Sequence, residues 1–264
     1  MKIGFCQFKP AFGDLETTLK AIENLLKDCK AELIVLPELC NSGYNFSSFE
    51  EAYKLSEEIG KSKFINFLED LAKKKNMHIV SGFNERDGKE LYNSSILIGP
   101  KGYIGKYQKI HLFLNEKDFF NPGKGLPVFD IGSCKIGMLV CFDWIFPEVW
   151  RVLALKGADI ICHPSNLVIP GFAQKAIPIH ALINGIYVIT SNRIGSEKNL
   201  KFTGMSTIAN PKGEVLCQAS QDKDEVKVID IDINLAKNKE ITKRNDRFKD
   251  RRPEEYKFLT DSKK

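Results

Sequence analysis

Short apolar segments alternate along the chain with segments whose apolar residues recur at helical spacing. The N-terminal segment KIGFCQF is almost wholly apolar or small, which is typical of a buried strand. In the next segment, DLETTLKAIENLL, an apolar residue returns every three or four positions, and Asp14 stands at the N-cap position. The chain therefore begins with a predicted strand followed by a predicted amphipathic helix.

The same alternation continues to the C-terminal region. Two hairpins are predicted, YNSSILIGPKGYIGKYQ with a Pro-Lys-Gly turn and PVFDIGSCKIGMLVC with a Gly-Ser turn. Further strands are predicted in AELIVLPE, MHIVSGFNE, ADIICHPSN, IYVITSNR, MSTIANPKGEVLCQA and EVKVIDIDI, and further helices over residues 64–75, 147–157 and 172–185. Strand–helix–strand units together with antiparallel hairpins indicate a layered α/β (α+β) fold. Because there is no repeat and no Gly/Ser linker, we expect one domain over residues 1–264.

The composition is that of an ordinary globular protein. The 264 residues are 43% hydrophobic and 28% charged, with no signal-peptide pattern and no apolar run near the roughly 20 residues that span a bilayer. Seven cysteines without paired spacing fit a reducing compartment better than a disulfide framework. The four histidines form no HExxH motif and no cluster with cysteines, which argues against a metal site. We expect a soluble cytoplasmic protein that does not contact a membrane, with Cys141 a free thiol.

The net charge of +5 is concentrated near the C-terminus. The segment Lys237–Arg252 holds eight lysines and arginines against three acidic residues. Such a segment can bind nucleic acid, but it contains a single aromatic residue, Phe248, and no nucleic-acid module accompanies it. We therefore expect no nucleic-acid partner. Residues 234–264 are predicted to be a solvated C-terminal extension that packs on a partner subunit.

Three predicted strands end at or close to residues with reactive or ionisable side chains. The segment LIVLPE ends at Glu38, IGKYQKIH contains Lys109 close to its end, and IGMLVC ends at Cys141. Ligands bind beyond the carboxyl ends of strands in α/β folds, so we expect these side chains near a site. A thiol, a carboxylate and an ammonium group form a coherent set for acyl transfer.

Each of these groups has a role that fits its chemistry. Glu38 follows apolar neighbours, and burial moves a carboxylate toward general-base strength. Lys109 can stabilise the thiolate of Cys141 and the oxyanion of a tetrahedral intermediate, an effect worth a factor of about 10² to 10³ in rate. The backbone N–H of Phe142 is a natural second donor to that oxyanion. Glu116, seven residues after the lysine, can hold the ammonium group or polarise a bound substrate.

The residues alone leave structural alternatives open. A cysteine that ends an apolar strand is often a small core residue, and Glu38 with Lys109 can be a structural ion pair. Asp143 can be a helix-start residue that favours the helix dipole. His163 can pair with Cys141, or it can be a strand-end residue with satisfied hydrogen bonds. The residues by themselves thus lead to a thiol-hydrolase hypothesis and no further.

The motifs around these residues resemble the nitrilase superfamily of carbon–nitrogen hydrolases. The similar segments are LIVLPEL, KYQKIHLF and GMLVCFDWIFPE, flanked by KIGFCQ, ALKGADIICHPSNL, YVITSNR, FTGMSTIANPKGEVL and NDRFKDRRPEEY. The resemblance implies that Glu38 is the general base, Lys109 the oxyanion-stabilising cation, Cys141 the nucleophile and Glu116 a supporting carboxylate. It also implies a four-layer α-β-β-α sandwich and a homodimer or higher homo-oligomer formed through the helix after the cysteine. No cofactor or metal is implied.

The expected substrate is a small aliphatic or aromatic amide, cleaved to a carboxylic acid and ammonia. An apolar pocket with one polar contact is predicted from Tyr44, Trp144, Asn166, Leu167 and Phe172. Nitrile hydrolysis is the alternative activity, because the motifs do not separate amidases from nitrilases. A third hypothesis is a non-catalytic assembly or regulatory protein on the same fold.

Overall fold

The computed structural model describes residues 1–261, and its framework is two six-stranded sheets. The strands are β1 (Lys2–Gln7), β2 (Leu33–Val35), β3 (His78–Asp87), β4 (Glu90–Gly99), β5 (Gly102–Gln108), β6 (Val128–Asp130), β7 (Lys135–Met138), β8 (Ile160–Ser165), β9 (Tyr187–Asn192), β10 (Ser196–Glu197), β11 (Leu200–Lys201), β12 (Thr207–Ala209), β13 (Val215–Gln218), β14 (Glu225–Asp230), β15 (Glu240–Thr242) and β16 (Asn245–Asp246). The α-helices are α1 (Leu15–Leu25), α2 (Phe49–Lys54), α3 (Lys63–Lys75), α4 (Glu116–Phe119), α5 (Pro147–Leu155), α6 (Phe172–Asn184) and α7 (Asn234–Lys237), and 3₁₀ helices span Cys141–Ile145 and Pro253–Leu259.

Both sheets have a parallel centre and antiparallel edges. The first sheet has the order β14-β1-β2-β3-β4-β5 and the second the order β13-β12-β9-β8-β7-β6. In the first sheet β1, β2 and β3 run parallel, and in the second β7, β8 and β9 do. Because parallel strands end at a common edge, each sheet presents one edge at which several strand ends meet.

Alternation along the strands divides the core into layers. In β1, Ile3 and Phe5 are fully buried in a cluster shared with strands of the second sheet, while Cys6 packs with α1 and α3. Successive side chains point to opposite faces of a strand, so one short apolar run serves both layers. Helices α5 and α6 cover the outer face of the second sheet. The result is a four-layer α-β-β-α sandwich.

The predicted helices begin and end at the residues that the sequence marks. Asp14 caps α1 by accepting from the Thr17 N–H at 3.0 Å, and Ser62 caps α3 in the same way. Asn76 closes α3 in the left-handed conformation, with a φ of 50°. Both predicted hairpins are present. The short helices α2, α4 and α7 and the β10–β11 hairpin have too few residues to show a period, and the sequence pattern missed them.

The ends of two strands differ from the prediction. The pattern extended β2 to Glu38 and β7 to Cys141, but these strands end at Val35 and Met138. The chain remains extended beyond both strands before it turns, and there the Leu36 N–H still donates to Val80 O at 2.8 Å. Apolar side chains continue past the last paired residue because they still line the core, so hydrophobicity alone overestimates strand length.

The C-terminal segment packs on the same chain for part of its length. Lys239 Nζ donates to Gly185 O at 2.7 Å, and Arg247 Nε donates to Leu182 O at 3.0 Å. These cations satisfy carbonyls at the end of α6, where the helix dipole favours positive charge. Part of the predicted solvated extension is thus anchored to its own domain. No helix among residues 1–261 has both the length and the apolar character needed to cross a bilayer.

Candidate active site

Three of the predicted residues form a buried ion cluster. Lys109 Nζ lies 2.9 Å from Glu38 Oε1 and 2.8 Å from Glu116 Oε1. The side chains of Lys109 and Glu38 are fully inaccessible to solvent, and that of Glu116 is 4% exposed. Glu38 lies in the loop after β2, Lys109 directly follows β5, and Glu116 is in the first turn of α4. The fold therefore joins segments that lie far apart in the sequence.

A glycine on β3 makes room for the Glu38 loop. A Cβ atom on Gly82 would lie 2.3 Å from Glu38 Cα and 2.4 Å from Leu39 N, distances that no side chain tolerates. The Gly82 N–H donates to Pro37 O at 3.0 Å, and its carbonyl accepts from Cys40 N at 3.2 Å. This close backbone approach fixes Glu38 against the first sheet.

The charges of the cluster are strongly coupled. Burial alone would lower the pKa of Lys109, but the carboxylates of Glu116 and Glu38 outweigh burial and raise it, so the side chain stays an ammonium ion. Burial raises the pKa of Glu116, against the opposing effect of Lys109. One ammonium group thus serves two carboxyl groups. In a buried pair of this kind, additional hydrogen bonds are needed to offset the loss of water.

Neighbouring polar side chains supply those hydrogen bonds. Asn93 Nδ2 donates to Glu38 Oε1 at 2.7 Å, and the Tyr44 hydroxyl donates to Glu116 Oε1 at 2.7 Å. Glu38 Oε2, in contrast, is buried and has no hydrogen-bond partner within residues 1–261. Glu38 also lies close enough to Cys141 for its charge to act on the thiol.

Cys141 is buried and held in an unusual backbone conformation. Its φ is 42°, in the left-handed region that residues with a side chain rarely adopt, and the residue is 4% exposed. Burial and the charge of Glu38 raise the pKa of the thiol, while Lys109 and a hydrogen bond from the Asn166 backbone act in the opposite direction. The thiol is therefore protonated near neutral pH and needs a base to become a nucleophile.

Three buried side chains, two histidines and a tryptophan, contact backbone carbonyls of the turn that carries Cys141. His163 Nε2 lies 2.9 Å from Cys141 O, His180 Nε2 lies 2.8 Å from Trp144 O, and Trp150 Nε1 donates to Asp143 O at 3.0 Å. Burial lowers the pKa of His163 to about 4, which keeps the ring neutral. His163 thus contacts the main chain of the turn that carries Cys141, which favours the strand-end interpretation over a Cys–His pair.

The two residues after the cysteine differ in their surroundings. Phe142 lies in the first turn of the 3₁₀ helix, where N–H groups have no acceptor within the helix. Its N–H is therefore available to an acceptor outside the helix. Asp143 is fully buried and its carboxylate accepts from the Tyr107 hydroxyl at 2.8 Å. The helix-start interpretation of Asp143 holds only in part: its carboxylate accepts the Val140 N–H at the start of the 3₁₀ helix, and it also binds Tyr107 of a separate strand.

A narrow cavity opens beside the thiol. It has a volume of about 10 Å³, about the space of one water molecule. Its lining residues are Phe113, Cys141, Phe142, Trp144, Asn166, Leu167, Val168 and Ile169. Asn166 Nδ2 donates to Glu38 O at 3.1 Å, and its Oδ1 is buried without a partner within residues 1–261. The predicted Trp144, Asn166 and Leu167 thus meet at the thiol.

The other two predicted pocket residues lie elsewhere. Tyr44 lines a neighbouring cavity of about 220 Å³ and contacts the site through Glu116. Phe172 is 57% exposed at the start of α6, and its ring meets Trp144 edge-on with centroids 6.4 Å apart. The structure therefore does not bring Phe172 to the cavity at Cys141.

Several residues that support the site are not marked by any motif in the sequence. Asn93 is the clearest case, because an asparagine inside a strand pattern is unfavourable unless its amide is hydrogen-bonded. A second case is the fully buried Arg193, which pairs with Glu197. Glu197 Oε2 accepts the backbone N–H groups of Tyr44 and Asn45 at 2.9 Å each. Across residues 1–261, no group of three or more His, Cys, Asp or Glu side chains has the arrangement of a metal site.

Comparison with known proteins defines the class. The family model described as carbon-nitrogen hydrolase matches residues 2–240, and the chain belongs to this family. It is 48% identical to a protein named nitrilase from Pyrococcus abyssi over 97% of this chain and 99% of that protein. It is 31% identical to an N-carbamoylputrescine amidase from Arabidopsis thaliana, over 93% of this chain and 91% of that one.

The fold agrees with this assignment. An amidase structure from Nesterenkonia sp. superposes with a TM-score of 0.80 at 24% identity, over 98% of this chain and 96% of that one. The resemblance to the nitrilase superfamily and the predicted α-β-β-α sandwich are both confirmed. The chain is a hydrolase acting on carbon–nitrogen bonds.

The buried, neutral state of His163 predicts a pH dependence of stability. A histidine in the unfolded chain has a pKa near 6.5, whereas that of folded His163 is about 4. Between these values only the unfolded state binds the proton, so stability falls as pH falls, by about 3 kcal/mol across the window. The measurement is the free energy of unfolding in urea from pH 7 to pH 4, for the wild type and His163→Gln. Glutamine can donate a hydrogen bond but does not titrate, so equal slopes for both proteins would contradict this account.

Proposed function

We propose that the protein hydrolyses small uncharged amides to a carboxylic acid and ammonia through a thioester on Cys141. The observation that carries this proposal is the fully buried Lys109, held between Glu38 and Glu116 next to a buried thiol. A purely structural ion pair would need no thiol beside it. The alternative of a non-catalytic protein is therefore not favoured.

In the first half of the proposed reaction, Cys141 is acylated. Glu38 Oε2 takes the thiol proton as Cys141 Sγ attacks the amide carbon, and a C–S bond forms. The oxyanion is stabilised by the Lys109 ammonium group and the Phe142 N–H, donors fixed before the reaction begins. When the tetrahedral intermediate collapses, the C–N bond breaks, Glu38 passes its proton to the nitrogen, and ammonia leaves.

The second half releases the acid. Water enters the position that the ammonia leaves, and Glu38 takes one of its protons as the oxygen attacks the thioester carbon. The same two donors hold the second oxyanion. Collapse breaks the C–S bond, and the sulfur recovers the proton from Glu38. The raised pKa of the Cys141 thiol favours this recovery, because a protonated thiol is the resting state.

Glu116 has a supporting role in this proposal. Its carboxylate binds Lys109 and is itself fixed by the Tyr44 hydroxyl, which keeps the ammonium group between the two carboxylates. The raised pKa of Tyr44, caused by burial and then by Glu116, keeps the phenol protonated as a donor. Glu116 thus orients the lysine while Glu38 remains free to exchange protons.

The cavity lining supports a small, uncharged acyl group. The side chains around Cys141 are aromatic or aliphatic apart from Asn166, whose unpaired Oδ1 can accept from the substrate amide. Within residues 1–261 no charged side chain is among the lining residues of this cavity, so a carboxylate or ammonium group on the acyl part of the substrate would have no counter-ion there. Trp144 and Leu167 are the proposed acyl contacts. The narrow volume requires side chains to move as a substrate enters.

Nitrile hydrolysis is a second candidate, favoured by the 48% identity to the Pyrococcus abyssi nitrilase. The same thiol would attack the nitrile carbon, and the thioimidate would need a first water to release ammonia and a second to release the acid. The base and the cation of the site serve both reactions.

We also propose that the chain forms a homodimer through the outer faces of α5 and α6. Leu155, Ile179 and Ile183 are 39%, 54% and 39% exposed there, which places several large apolar side chains on adjoining helices. A patch of this kind on a globular protein commonly marks an interaction surface. The exposed 3₁₀ helix Pro253–Leu259, at the end of the C-terminal extension, is the proposed second contact with the partner.

The organisation and location are proposed on separate grounds. The core between the sheets is shared by elements from both halves of the chain, which supports one domain. All seven cysteines are free thiols, including five buried ones, which supports a reducing location such as the cytoplasm.

The activity is tested by ammonia release from a matched panel. The panel pairs acetamide, propionamide, butyramide and benzamide with the corresponding nitriles, and adds succinamate as a charged amide. We expect release from neutral amides, little from succinamate, and a loss of at least about 10⁴-fold in Cys141→Ala. Cys217→Ala, which removes a thiol distant from the site, is the matched control and should retain activity. Release from nitriles alone would replace the amidase proposal with the nitrilase one, and equal activity of Cys141→Ala would refute both.

The oligomeric state is tested by sedimentation equilibrium. We expect a dimer for the wild type and a monomer for Ile179→Glu, because a charge at the centre of an apolar interface is left without a partner. Ile104→Glu is the control, since Ile104 is 39% exposed on β5 of the other sheet. A wild-type monomer at micromolar concentration, or a dimer that persists in Ile179→Glu, would contradict the proposed interface.

A further inference from the structure

One buried carboxylate connects the lysine segment with the nucleophile turn. Asp143 Oδ2 accepts from the Tyr107 hydroxyl and from the Val140 N–H, each at 2.8 Å. Asp143 Oδ1 lies 2.8 Å from His111 Nδ1. A carboxylate can only accept, so the histidine nitrogen donates. Three donors therefore converge on a side chain that is fully buried.

The positions of these donors in the chain are informative. Tyr107 and His111 lie two residues before and two residues after Lys109, and Val140 and Asp143 lie on either side of Cys141. The first segment ends β5 of one sheet, and the second follows β7 of the other. The Tyr107 hydroxyl also accepts the Ile110 N–H at 3.1 Å, which ties the backbone after the lysine to the same point.

A role confined to local helix capping does not account for this arrangement. Only the contact with Val140 is local, whereas the other two reach more than 30 residues back in the chain. Burying a carboxylate costs free energy unless the group is fully hydrogen-bonded. Here the hydrogen bonds that satisfy Asp143 also join the two sheets next to the candidate site.

We propose that Asp143 and His111 form a positioning pair that sets the location of the Cys141 turn relative to Lys109. The proposal rests on the proposed function for its catalytic meaning. Neither residue touches the substrate, and both act through the two segments they join. Because a misplacement of about 1 Å can cost about 10²-fold in rate, loosening this pair should lower turnover more than binding.

His111 is the residue at which the pair is best tested. It is 24% exposed and stacks on Phe146 with ring centroids 3.6 Å apart, at an angle of 12°. His111→Phe can keep this stacking while it removes the donor to Asp143. His111→Asn loses much of the ring but places an amide N–H where Nδ1 was. The two variants therefore separate packing from hydrogen bonding.

The experiment measures kcat and KM for the best amide of the panel, together with thermal unfolding. For His111→Phe we expect kcat to fall by about 10-fold to 100-fold with KM changed less than about threefold, and for His111→Asn a kcat within about threefold of wild type. Tyr107→Phe should also lower kcat, and its combination with His111→Phe should cost less than the product of the two single effects, because both act through Asp143. Tyr187→Phe, which removes a hydroxyl bonded to Asp232 O, is the matched control and should leave kcat unchanged.

A second readout separates this inference from the proposed function. The rate at which iodoacetamide alkylates Cys141, followed by peptide mass spectrometry, depends on the position of the thiol even when no amide is turned over. We expect His111→Phe to slow this alkylation about 10-fold or more relative to His111→Asn. If the wild type is inactive on the whole panel, the proposed function fails while the alkylation rates still decide the inference. Rates for His111→Phe within twofold of wild type, or equal losses in His111→Phe and His111→Asn, would overturn it. If His111→Phe does not fold, the alkylation rate of Cys141 is compared between Tyr107→Phe and the control Tyr187→Phe. A slower rate in Tyr107→Phe supports the inference, and equal rates overturn it.

Discussion

The ammonium group of Lys109 lies in the interior without access to water, and the candidate site depends on how its charge is balanced. Two carboxylates, from Glu38 and Glu116, bind it within 3 Å. Removing one partner of a buried ion pair costs about 3–5 kcal/mol, so the three elements that supply these charges are constrained to meet. The hydrogen bonds from Asn93 and Tyr44, and the close approach of Gly82, follow from the same requirement.

The cluster also bears on the proposed role of the buried Cys141 as a nucleophile. Burial and the nearby negative charge raise the pKa of Cys141, so the thiol is unreactive until a base accepts its proton. In the proposed reaction, that base is Glu38, whose Oε2 has no hydrogen-bond partner within residues 1–261. The left-handed backbone of Cys141 turns the chain sharply after β7, and His163 and His180 hold the resulting turn. Both the neighbouring charges and the left-handed backbone conformation therefore affect Cys141.

The main features of the fold and the residues of the ion cluster could be predicted from the sequence. The alternation of apolar and polar residues and the capping residues located the long helices and most strands. The motifs pointed to Glu38 and Lys109, which lie in the observed ion cluster, and to Cys141, which lies beside it. The supporting contacts could not be predicted. Asn93 and Asp143 act through partners distant in the sequence, and a single chain does not show which polar residue in a strand is buried. Phe172 was predicted to line the pocket but is exposed, because the apolar character of a residue does not show whether it lines a pocket or lies on the outer surface.

The most direct test of the account is the detection of an acyl group on Cys141 during turnover. The protein is mixed with a turned-over amide, quenched in acid within milliseconds to seconds, and analysed by intact and peptide mass spectrometry. We expect a transient mass increase equal to the acyl group, confined to the peptide that contains Cys141. Turnover without an adduct at any quench time, or an acyl group on another of the seven cysteines, would contradict it.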